Sequence, residues 1–543
     1  MILKNLLNFI FQFFKVILNQ FKNFYLNSNY YDKKISKVKN ESLVYKPSPH
    51  LLSSLIQYQA KKINVDEIST KNIWDNENLS SKDFKRLNNF YWFFSLDLKS
   101  SKKKTQLIIS NWIKKNSKYN SKSWEFRLTS KRIIAWLSNH NLTFEESNRD
   151  YQVQFNGMIQ KQINHLINEI NSSELEEDKI IGCAAIILAG LCYKDEKNYL
   201  VYGINLLKKI TKISLDNNGL PKSRNIKELI FYLKYLILIR EWFKEAQIPI
   251  PELINESIYY LGQGYAFTWQ NIKCDILMNG NNNSKNSEFD HYLKRFGYKF
   301  KNDNKEYGGY VILFDKKISL VMDIGSPPAS KFSKSYQSGT LSFEVNSNGK
   351  KLISNCGYYD NEVLRLNKLS KSTAAHSTLI IDNHSSCLYK KIGKTEHVVN
   401  DGLKVLKKDI VFEKDYWKIN ASHNGYQKKY NSIHERKIEF YPKEYKFVGT
   451  DEILNEKTNY NIKFEIRFHL EPNVKLMKTQ DKKTILIELE DEGWKFNCDK
   501  FDINIDNGLY FGNKNLYTQN QNFFISGITN QQNESIIWQL SKI

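Results

Sequence analysis

Cysteine is scarce in this chain of 543 residues: there are 6, and none stands in CxxC spacing. Cys183 and Cys192 fall in an apolar helical run, where a buried free thiol is the ordinary state. A disulfide framework is therefore not expected, although a bond between Cys356 and Cys387 stays open. The cysteines leave the redox compartment undetermined.

Common targeting and nucleic-acid signatures are also missing. No small-residue cleavage site follows the apolar N-terminus, so a conventional signal peptide is not expected. No zinc-finger, RNA-recognition or basic-zipper pattern accompanies the net charge of +22. That charge favours polyanionic partners through long-range attraction, although drift towards a lysine-rich surface would produce the same value. Nucleic acid is accordingly an unlikely partner.

The length and the aromatic content indicate a folded protein with more than one core. A chain of 543 residues is too long for one ordinary core, so two large domains are expected. The 32 Tyr and 32 Phe residues exclude a disordered chain.

Residues 1–27 predict an amphipathic helix. Polar residues recur there at positions 4, 5, 8, 12, 15 and 19, one stripe at helical spacing on an otherwise apolar segment. An uncleaved helix lying on a membrane surface, through residues 1–24, fits this pattern. A tilted signal anchor and a helix packed on the protein's own body are the alternatives.

A helical pattern extends over residues 51–290, after a polar, turn-rich segment at 28–50 that predicts a linker. Small residues, including Gly182 and Gly190, mark one helix that its neighbours can approach closely. Successive helices with short polar turns predict an antiparallel helical array, and periodicity alone does not separate a toroid from a solenoid.

The hydrophobic period changes to two in the region 295–543. Apolar residues alternate without a break at 462, 464, 466, 468 and 470, which is typical of a half-buried strand. Asn348-Gly349 and Asp401-Gly402 predict hairpin turns. Many such strands predict a large antiparallel sandwich.

Four short motifs follow one another in this β-rich region: residues 339–344 (GTLSFE), 355–357 (NCG), 372–378 (STAAHST) and 467–472 (RFHLEP). Their order resembles the C-terminal domain of the heparinase II/III-like polysaccharide lyases, and weaker similarity extends back to about residue 70. The resemblance implies a multidomain α + β protein, with an N-terminal all-α (α/α) toroid followed by a C-terminal antiparallel β-sandwich.

The resemblance also implies cleavage of uronic-acid polysaccharides by β-elimination. A base removes the proton beside a carboxylate whose charge is neutralised, and an acid serves the leaving oxygen. The candidates for proton transfer are Tyr336, Tyr232 and His376, with Tyr235 as a further tyrosine. The candidates for binding the acidic chain are Lys222, Arg224, Arg132, Asn139 and Trp136.

Several positions depart from the pattern of the family. Ser335 and Gln337 occupy the places of its His-x-His histidines, and Asn355 occupies that of its metal-binding aspartate. Only His376 matches a ligand position. Zinc prefers imidazole, thiolate or carboxylate ligands, so the sequence predicts no metal and no other cofactor.

Two hypotheses follow from the resemblance, and a membrane-surface structural protein, suggested by the N-terminal helix and the net charge of +22, is a third. The first is a lyase that acts on acidic polysaccharide through a degenerate or rearranged site. The second is a non-catalytic glycan-binding or envelope-assembly protein on the same scaffold. Under both, the expected location is the cell envelope, periplasmic or membrane-associated, with the cytoplasm as the alternative.

Overall fold

The structure is a computed structural model, and the residues that it describes are 14, 17–37, 43–56, 64–65, 68, 73–75, 79–97, 99–173, 176–193, 197–284, 286–315, 317–360, 363–392, 396–455, 461–513, 516–529 and 533–543. The chain divides into two compact units. The helical unit is Met1–Ile213 with Phe231–Ile258, and the sheet unit is Ser214–Ile230 with Tyr259–Ile543. The sheet unit thus includes segments 214–230 and 259–290, which lie within the range of the predicted helical domain.

Within the described residues from 29 to the first strand, the α-helices are Asn29–Ile35, Pro49–Ile56, Ser81–Asn88, Lys102–Lys115, Phe126–Ser138, His140–Thr143, Arg149–Glu169, Glu176–Cys192, Lys197–Ser214, Ile226–Glu245, Glu252–Tyr265 and Asn286–Arg295. Two more lie among the strands, at Leu364–Lys371 and Gln427–Tyr430. Short 3₁₀ helices occupy Tyr91–Ser95, Ile170–Ser172, Ser330–Phe332, Thr373–Ala375 and Pro442–Glu444, and a π-helical turn occupies Ala266–Gln270.

The helix Asn29–Ile35 lies inside the segment that was predicted to be a linker. Tyr31 is fully buried, and its hydroxyl lies 2.8 Å from His165 Nδ1 on the helix Arg149–Glu169. This part of residues 28–50 is therefore packed structure, because a buried aromatic ring and its hydrogen bond fix it to the helical unit.

The described part of the N-terminal helix leaves apolar side chains in solvent. Residues 17–26 are helical, and Leu18, Phe21 and Phe24 are 65%, 70% and 81% exposed. The rest of the predicted helix 1–27 lies outside the described residues, apart from Phe14. Among the residues that the structure describes, no helix has the length and apolar character needed to cross a membrane.

Small residues let the helix Glu176–Cys192 pack closely against two neighbouring helices, as predicted. A Cβ added to Gly182, on Glu176–Cys192, would lie 2.5 Å from Cζ of Phe126, at the start of Phe126–Ser138. A Cβ on Gly190 would lie 2.5 Å from the backbone nitrogen of Leu200. Neither approach leaves room for a larger side chain.

The sheet unit contains nineteen strands within the described residues: β1 Glu306–Tyr307, β2 Tyr310–Phe314, β3 Ile318–Asp323, β4 Phe343–Ser347, β5 Lys350–Ile353, β6 Leu379–Ile381, β7 Leu388–Ile392, β8 Glu396–Asp401, β9 Val405–Phe412, β10 Trp417–His423, β11 Ser432–Tyr441, β12 Lys446–Asn455, β13 Lys463–His469, β14 Lys475–Lys478, β15 Thr484–Leu489, β16 Glu492–Asn497, β17 Ile503–Tyr510, β18 Thr518–Ile528 and β19 Glu534–Lys542. All of the recorded strand pairs are antiparallel.

These strands form four sheets. Their orders are β1-β2-β3-β4-β5, β14-β15-β16-β19-β12-β11-β10-β9, β17-β18-β13-β6 and β7-β8. One apolar core is built from side chains of the first three sheets, among them Phe343, Phe468 and Trp538. Phe464, Ile466 and Phe468 of β13 are all buried in it, which confirms the strand predicted from the alternating apolar residues.

The two predicted hairpin turns have different outcomes. Asn348-Gly349 joins the paired strands β4 and β5, with both residues at positive φ (49° and 78°), as a tight hairpin requires. Asp401-Gly402 is not a hairpin turn, because β8 pairs with β7 and the following strand β9 pairs with β10.

Candidate functional site

Arg224 is the centre of a buried polar cluster in the sheet unit. Its five hydrogen bonds use the whole guanidinium: Nε donates to Gly308, Nη1 to the carbonyls of Gly325 and Ser326, and Nη2 to Gly309 and to Asp323 Oδ1 at 2.6 Å. Burial by itself would lower the pKa of Arg224, but the Asp323 carboxylate raises it above its ordinary value. The guanidinium therefore stays charged and has no N–H left for a ligand.

The surroundings of Arg224 are shaped for this one side chain. A Cβ on Gly325 would lie 2.3 Å from the guanidinium carbon, so only glycine fits there. Asp323 also accepts from the Gly325 amide and from Asn279 Nδ2. Tyr310 donates to the Arg224 carbonyl at 2.7 Å. The arrangement holds the loop that bears Arg224 against β2 and β3.

A groove of about 460 Å³ opens beside this cluster, entirely within the sheet unit. It is lined by Asp216, Leu220, Pro221, Lys222, Arg224, Gly308, Gly309, Gly325, Ser326, Ala329, Phe332 and Lys408. The Lys222 amine lies 5.9 Å from the centre of the Phe332 ring, and the Lys331 amine lies 4.5 Å from it. The groove thus presents an aromatic ring flanked by cations, together with backbone carbonyls.

Lys222 and Arg224 lie together, as predicted, but they differ in what they can do. Lys222 faces the groove, whereas Arg224 forms the wall behind it. The direct carboxylate contact predicted for Arg224 is incompatible with its five internal hydrogen bonds. Arg224 is therefore a positioning residue for the groove.

The residues at the family's metal positions have internal partners. Gln337 accepts from the Gly280 amide at 3.0 Å and donates to the carbonyls of Gly357 and Ser370. Asn355 donates to Glu344 at 3.1 Å and accepts from the Ser377 amide at 2.9 Å. Among the described residues, no group of three His, Cys, Asp or Glu side chains could hold a metal ion.

His376 and Tyr336 are both buried. The contact between His376 Nδ1 and the Ser372 carbonyl places the ring hydrogen on Nδ1. His376 Nε2 has no hydrogen-bond partner in the described part of the chain. Burial lowers the pKa of His376 to about 4. Burial raises the pKa of Tyr336 well above its ordinary value, and its hydroxyl lies 3.0 Å from Thr340 Oγ1.

Five predicted residues of the helical unit are also buried: Arg132, Trp136, Asn139, Tyr232 and Tyr235. Arg132 donates to Gln162, to the carbonyls of Asn88 and Ser123, and to Thr129. Trp136 packs against aromatic rings, and Asn139 donates to the Ala135 carbonyl in its own helix. Tyr232 is only 1% exposed. These placements give Arg132, Trp136 and Asn139 packing roles instead of the predicted contacts with sugar, because Arg132 and Trp136 are fully buried and Asn139 is only 6% exposed.

Sequence reasoning missed the partners of Arg224. Asp323 is the only charged residue of β3, at the end of the run ISLVMD. A carboxylate that ends a fully buried strand needs a buried cation. The position of Asp323 was therefore the sequence signal for a buried cationic partner. Nothing in the local pattern identified Asn279 or Tyr310, which lie far from Arg224 in the chain.

Comparisons with known proteins agree with this fold. Residues 303–539 match the family model described as heparinase II/III-like, C-terminal. A crystal structure of heparinase III superposes with a TM-score of 0.66 at 15% identity, covering 94% of this chain and 88% of that one. The heparan sulfate lyase of Pedobacter heparinus gives 0.63 at 13% identity, covering 94% and 85%.

A second heparinase III structure gives a TM-score of 0.68 at 14% identity, covering 93% of this chain and 86% of that one. No functionally curated protein matches the chain in sequence. These likenesses confirm the predicted fold class, an α/α toroid followed by an antiparallel β-sandwich. At such identities they establish the fold alone.

Proposed function

We propose, from the match of residues 303–539 to the heparinase II/III-like C-terminal model, that the protein binds an acidic, uronic-acid polysaccharide and cleaves it by β-elimination with a rearranged set of residues. The observation that carries the proposal is the groove beside Lys222. Its size, about 460 Å³, lies within the range of small-ligand sites.

The chemistry of the groove suits a sugar carboxylate. Phe332 offers an apolar face for a sugar ring. The amines of Lys222 and Lys331 lie 5.9 Å and 4.5 Å from the centre of the Phe332 ring. Lys408 lines the same groove, paired with Glu306 at 2.7 Å. Cations beside a carboxylate lower the cost of the charge that develops when the neighbouring carbon loses its proton.

A non-catalytic glycan-binding or envelope-assembly protein is the second candidate. The observation that favours it is the burial of Tyr336 and His376, because a proton carrier must reach its substrate. Both candidates predict binding of acidic glycan at the groove, and only the first predicts a new double bond.

The experiment that tests the proposal is incubation of the full chain with heparan sulfate, polygalacturonate and alginate, followed by ultraviolet absorbance. A rise in absorbance establishes an unsaturated uronate and hence a lyase. Binding to one of these glycans without any rise establishes the second candidate. If no glycan binds at low salt, both are excluded for this substrate class.

Lys222→Met is expected to weaken binding of the acidic glycan about 5- to 10-fold at low salt, because one charge beside the carboxylate contributes on the order of 1 kcal/mol. The variant keeps most of the length of the side chain and removes the charged amine with its N–H donors. Lys414→Met, at an exposed lysine of the same unit, is the control and should bind as the unchanged protein does. Equal affinity of the Lys222 variant, measured by calorimetry, would remove Lys222 from the site.

No zinc takes part in this proposal. Amides stand at Gln337 and Asn355, and both use their donors and acceptors on the chain itself. The prediction is therefore a zinc content well below one ion per chain, with thermal stability unchanged by a chelator. Elemental analysis checks this, and stoichiometric zinc would contradict it.

We propose that the N-terminal helix lies on an anionic membrane surface and that the protein belongs to the cell envelope. Leu18 and Phe21 lie on one exposed face at helical spacing, and the net charge of +22 favours anionic headgroups.

Deletion of residues 1–24 is accordingly expected to abolish flotation with vesicles that contain anionic lipid. A full-length Leu18→Asp/Phe21→Asp variant should lose most of it as well, because charged side chains oppose insertion of that face. Undiminished flotation of the deletion variant would assign membrane binding to another surface of the protein. Equal flotation of the full chain with neutral vesicles would exclude a contribution of charge to membrane binding.

A further inference from the structure

A second groove lies entirely within the helical unit. Its volume of about 930 Å³ is about twice that of the groove beside Lys222, which is about 460 Å³, and it lies at the upper end of the range of small-ligand sites. This size suits an oligosaccharide better than a single sugar. The lining residues that decide its chemistry are Trp74, Lys85, Asn88, Lys115, Lys122 and Ser123.

Trp74 supplies an aromatic wall to this second groove. Its indole Nε1 donates to the Ile108 carbonyl at 3.1 Å, and its ring centre lies 5.3 Å from that of the buried Phe90. The Lys115 amine donates to the Trp74 carbonyl at 2.6 Å, which fixes the backbone that bears the ring. The indole is half-buried, with its polar edge satisfied inside the fold. A rigid aromatic surface of this kind suits the apolar face of a sugar ring.

Two lysines of the second groove have free amines. Lys85 and Lys122 are exposed, and within the described part of the chain their amines form no ion pair and no hydrogen bond. The carboxylates of the groove are engaged elsewhere, because Asp75 pairs with Lys115 and Glu125 accepts from the first backbone amides of the helix that follows it. The charge that remains available in the groove is therefore positive.

A buried cation lies behind the wall of the second groove. Arg132 is fully buried. Its Nη1 donates at 2.9 Å and 3.0 Å to the carbonyls of Asn88 and Ser123, which line the groove. Its other hydrogen bonds go to the neutral side chains of Gln162 and Thr129. Among the residues that the structure describes, no carboxylate forms an ion pair with Arg132.

This buried charge makes the groove wall favourable to an anion. Burial lowers the pKa of Arg132 and the charge of Glu125 opposes that shift, but a guanidinium keeps its proton in proteins. A buried charge without a counter-ion is costly, since it has lost the stabilisation by water. A negative group in the groove reduces this cost without touching Arg132, because the protein interior screens charge less than water does.

We propose that the second groove is a separate site for an acidic oligosaccharide, in which Lys85 and Lys122 contact the acidic groups and Trp74 packs on a sugar ring. The ligand class rests on the proposed function, whereas the location rests on the helical unit alone. The site uses no residue of the sheet unit and no proton transfer, so it holds the polysaccharide and does not cleave it.

Calorimetric titration of the full chain with tetragalacturonate at low salt tests this site. We expect two molecules to bind per chain, one at each groove. Lys85→Met/Lys122→Met should weaken the helical-unit site about 25- to 100-fold, since each charge contributes about 5- to 10-fold. Lys82→Met/Lys103→Met is the matched control, because it removes the same charge from exposed lysines of the same unit that do not line the groove. The control should keep both sites.

Lys222→Met separates the two grooves. It should weaken the sheet-unit site and leave the affinity of the helical-unit site within about twofold, as expected for independent sites. A single bound molecule that Lys222→Met weakens and Lys85→Met/Lys122→Met leaves unchanged overturns the inference, while the proposed function stands. A single bound molecule with the opposite response supports the inference and removes the groove beside Lys222 from the account.

Maltotetraose, which carries no charge, tests the class of ligand. It should bind far more weakly than tetragalacturonate at the helical-unit site, because it gives Lys85, Lys122 and the buried guanidinium no counter-ion. Equal affinity for the two oligosaccharides overturns the inference. If tetragalacturonate binds at neither groove, the inference fails together with the binding that was proposed for the groove beside Lys222.

Discussion

Arg224→Met is expected to destabilise the sheet unit by about 3–5 kcal/mol, the usual cost of removing one partner of a buried ion pair. Methionine fills a similar volume but donates nothing, so the Asp323 carboxylate stays buried without its cation. The carbonyls of Gly308, Gly309 and Gly325 also lose their donor. The groove beside Lys222 should lose its shape at the same time, since Arg224 forms its wall.

Urea unfolding followed by tryptophan fluorescence measures the change in the free energy of unfolding. Arg224→Lys is an informative partner variant, because a lysine keeps the charge and cannot reproduce five hydrogen bonds in one plane. It should recover only part of the loss. Lys414→Met should stay within about 0.5 kcal/mol of the unchanged protein, as surface substitutions usually do. A loss below about 1 kcal/mol for Arg224→Met would show that solvent reaches this cluster.

Asp451→Asn is expected to cost about 3–5 kcal/mol for a related reason. Asp451 is fully buried and accepts four hydrogen bonds: from His434 Nε2 at 2.7 Å, from Arg436 Nε at 2.8 Å and Nη2 at 3.1 Å, and from Trp538 Nε1 at 2.9 Å. Asparagine removes the charge that pairs with Arg436 and turns an NH₂ group towards groups that are themselves donors.

The same residue predicts how stability depends on pH. Burial by itself would raise the pKa of Asp451, but Arg436 and His434 bring it well below its ordinary value. Its contribution is therefore complete above the pKa of the unfolded chain, about 3.9, and is lost as the pH falls further. Unfolding free energies at pH 7, 5 and 3 should converge between the protein and Asp451→Asn as the pH falls.

Asp409→Asn is the matched control, an exposed carboxylate of β9 in the same sheet that pairs with Lys418 at 2.6 Å. Exposed pairs contribute about 0–1 kcal/mol, so this change should be small at every pH. An Asp451→Asn difference that persists unchanged at pH 3 would contradict the assignment of the pH dependence to Asp451.

Local pattern predicted the elements well where one face of an element is buried. The alternation at residues 462–470 predicted β13, and the small residues Gly182 and Gly190 predicted close helix packing. In both cases, the signal lies in the spacing of neighbouring side chains. The hairpin predicted at Asp401-Gly402 was wrong for the same reason, because a turn dipeptide carries no information on which strands pair on either side of it.

The sequence by itself determined the order of the folded regions, their helical or β character and the resemblance of residues 303–539 to the heparinase II/III-like C-terminal model. Only the tertiary structure decided the roles of the charged residues. Arg224, Arg132 and Lys222 all read as cations that could bind an acidic chain, yet the first two have their donors occupied inside the fold and the third faces a groove. Burial and hydrogen-bond partners come from segments far apart in the chain, and these determine whether a charge is enclosed in the fold or lies at a groove.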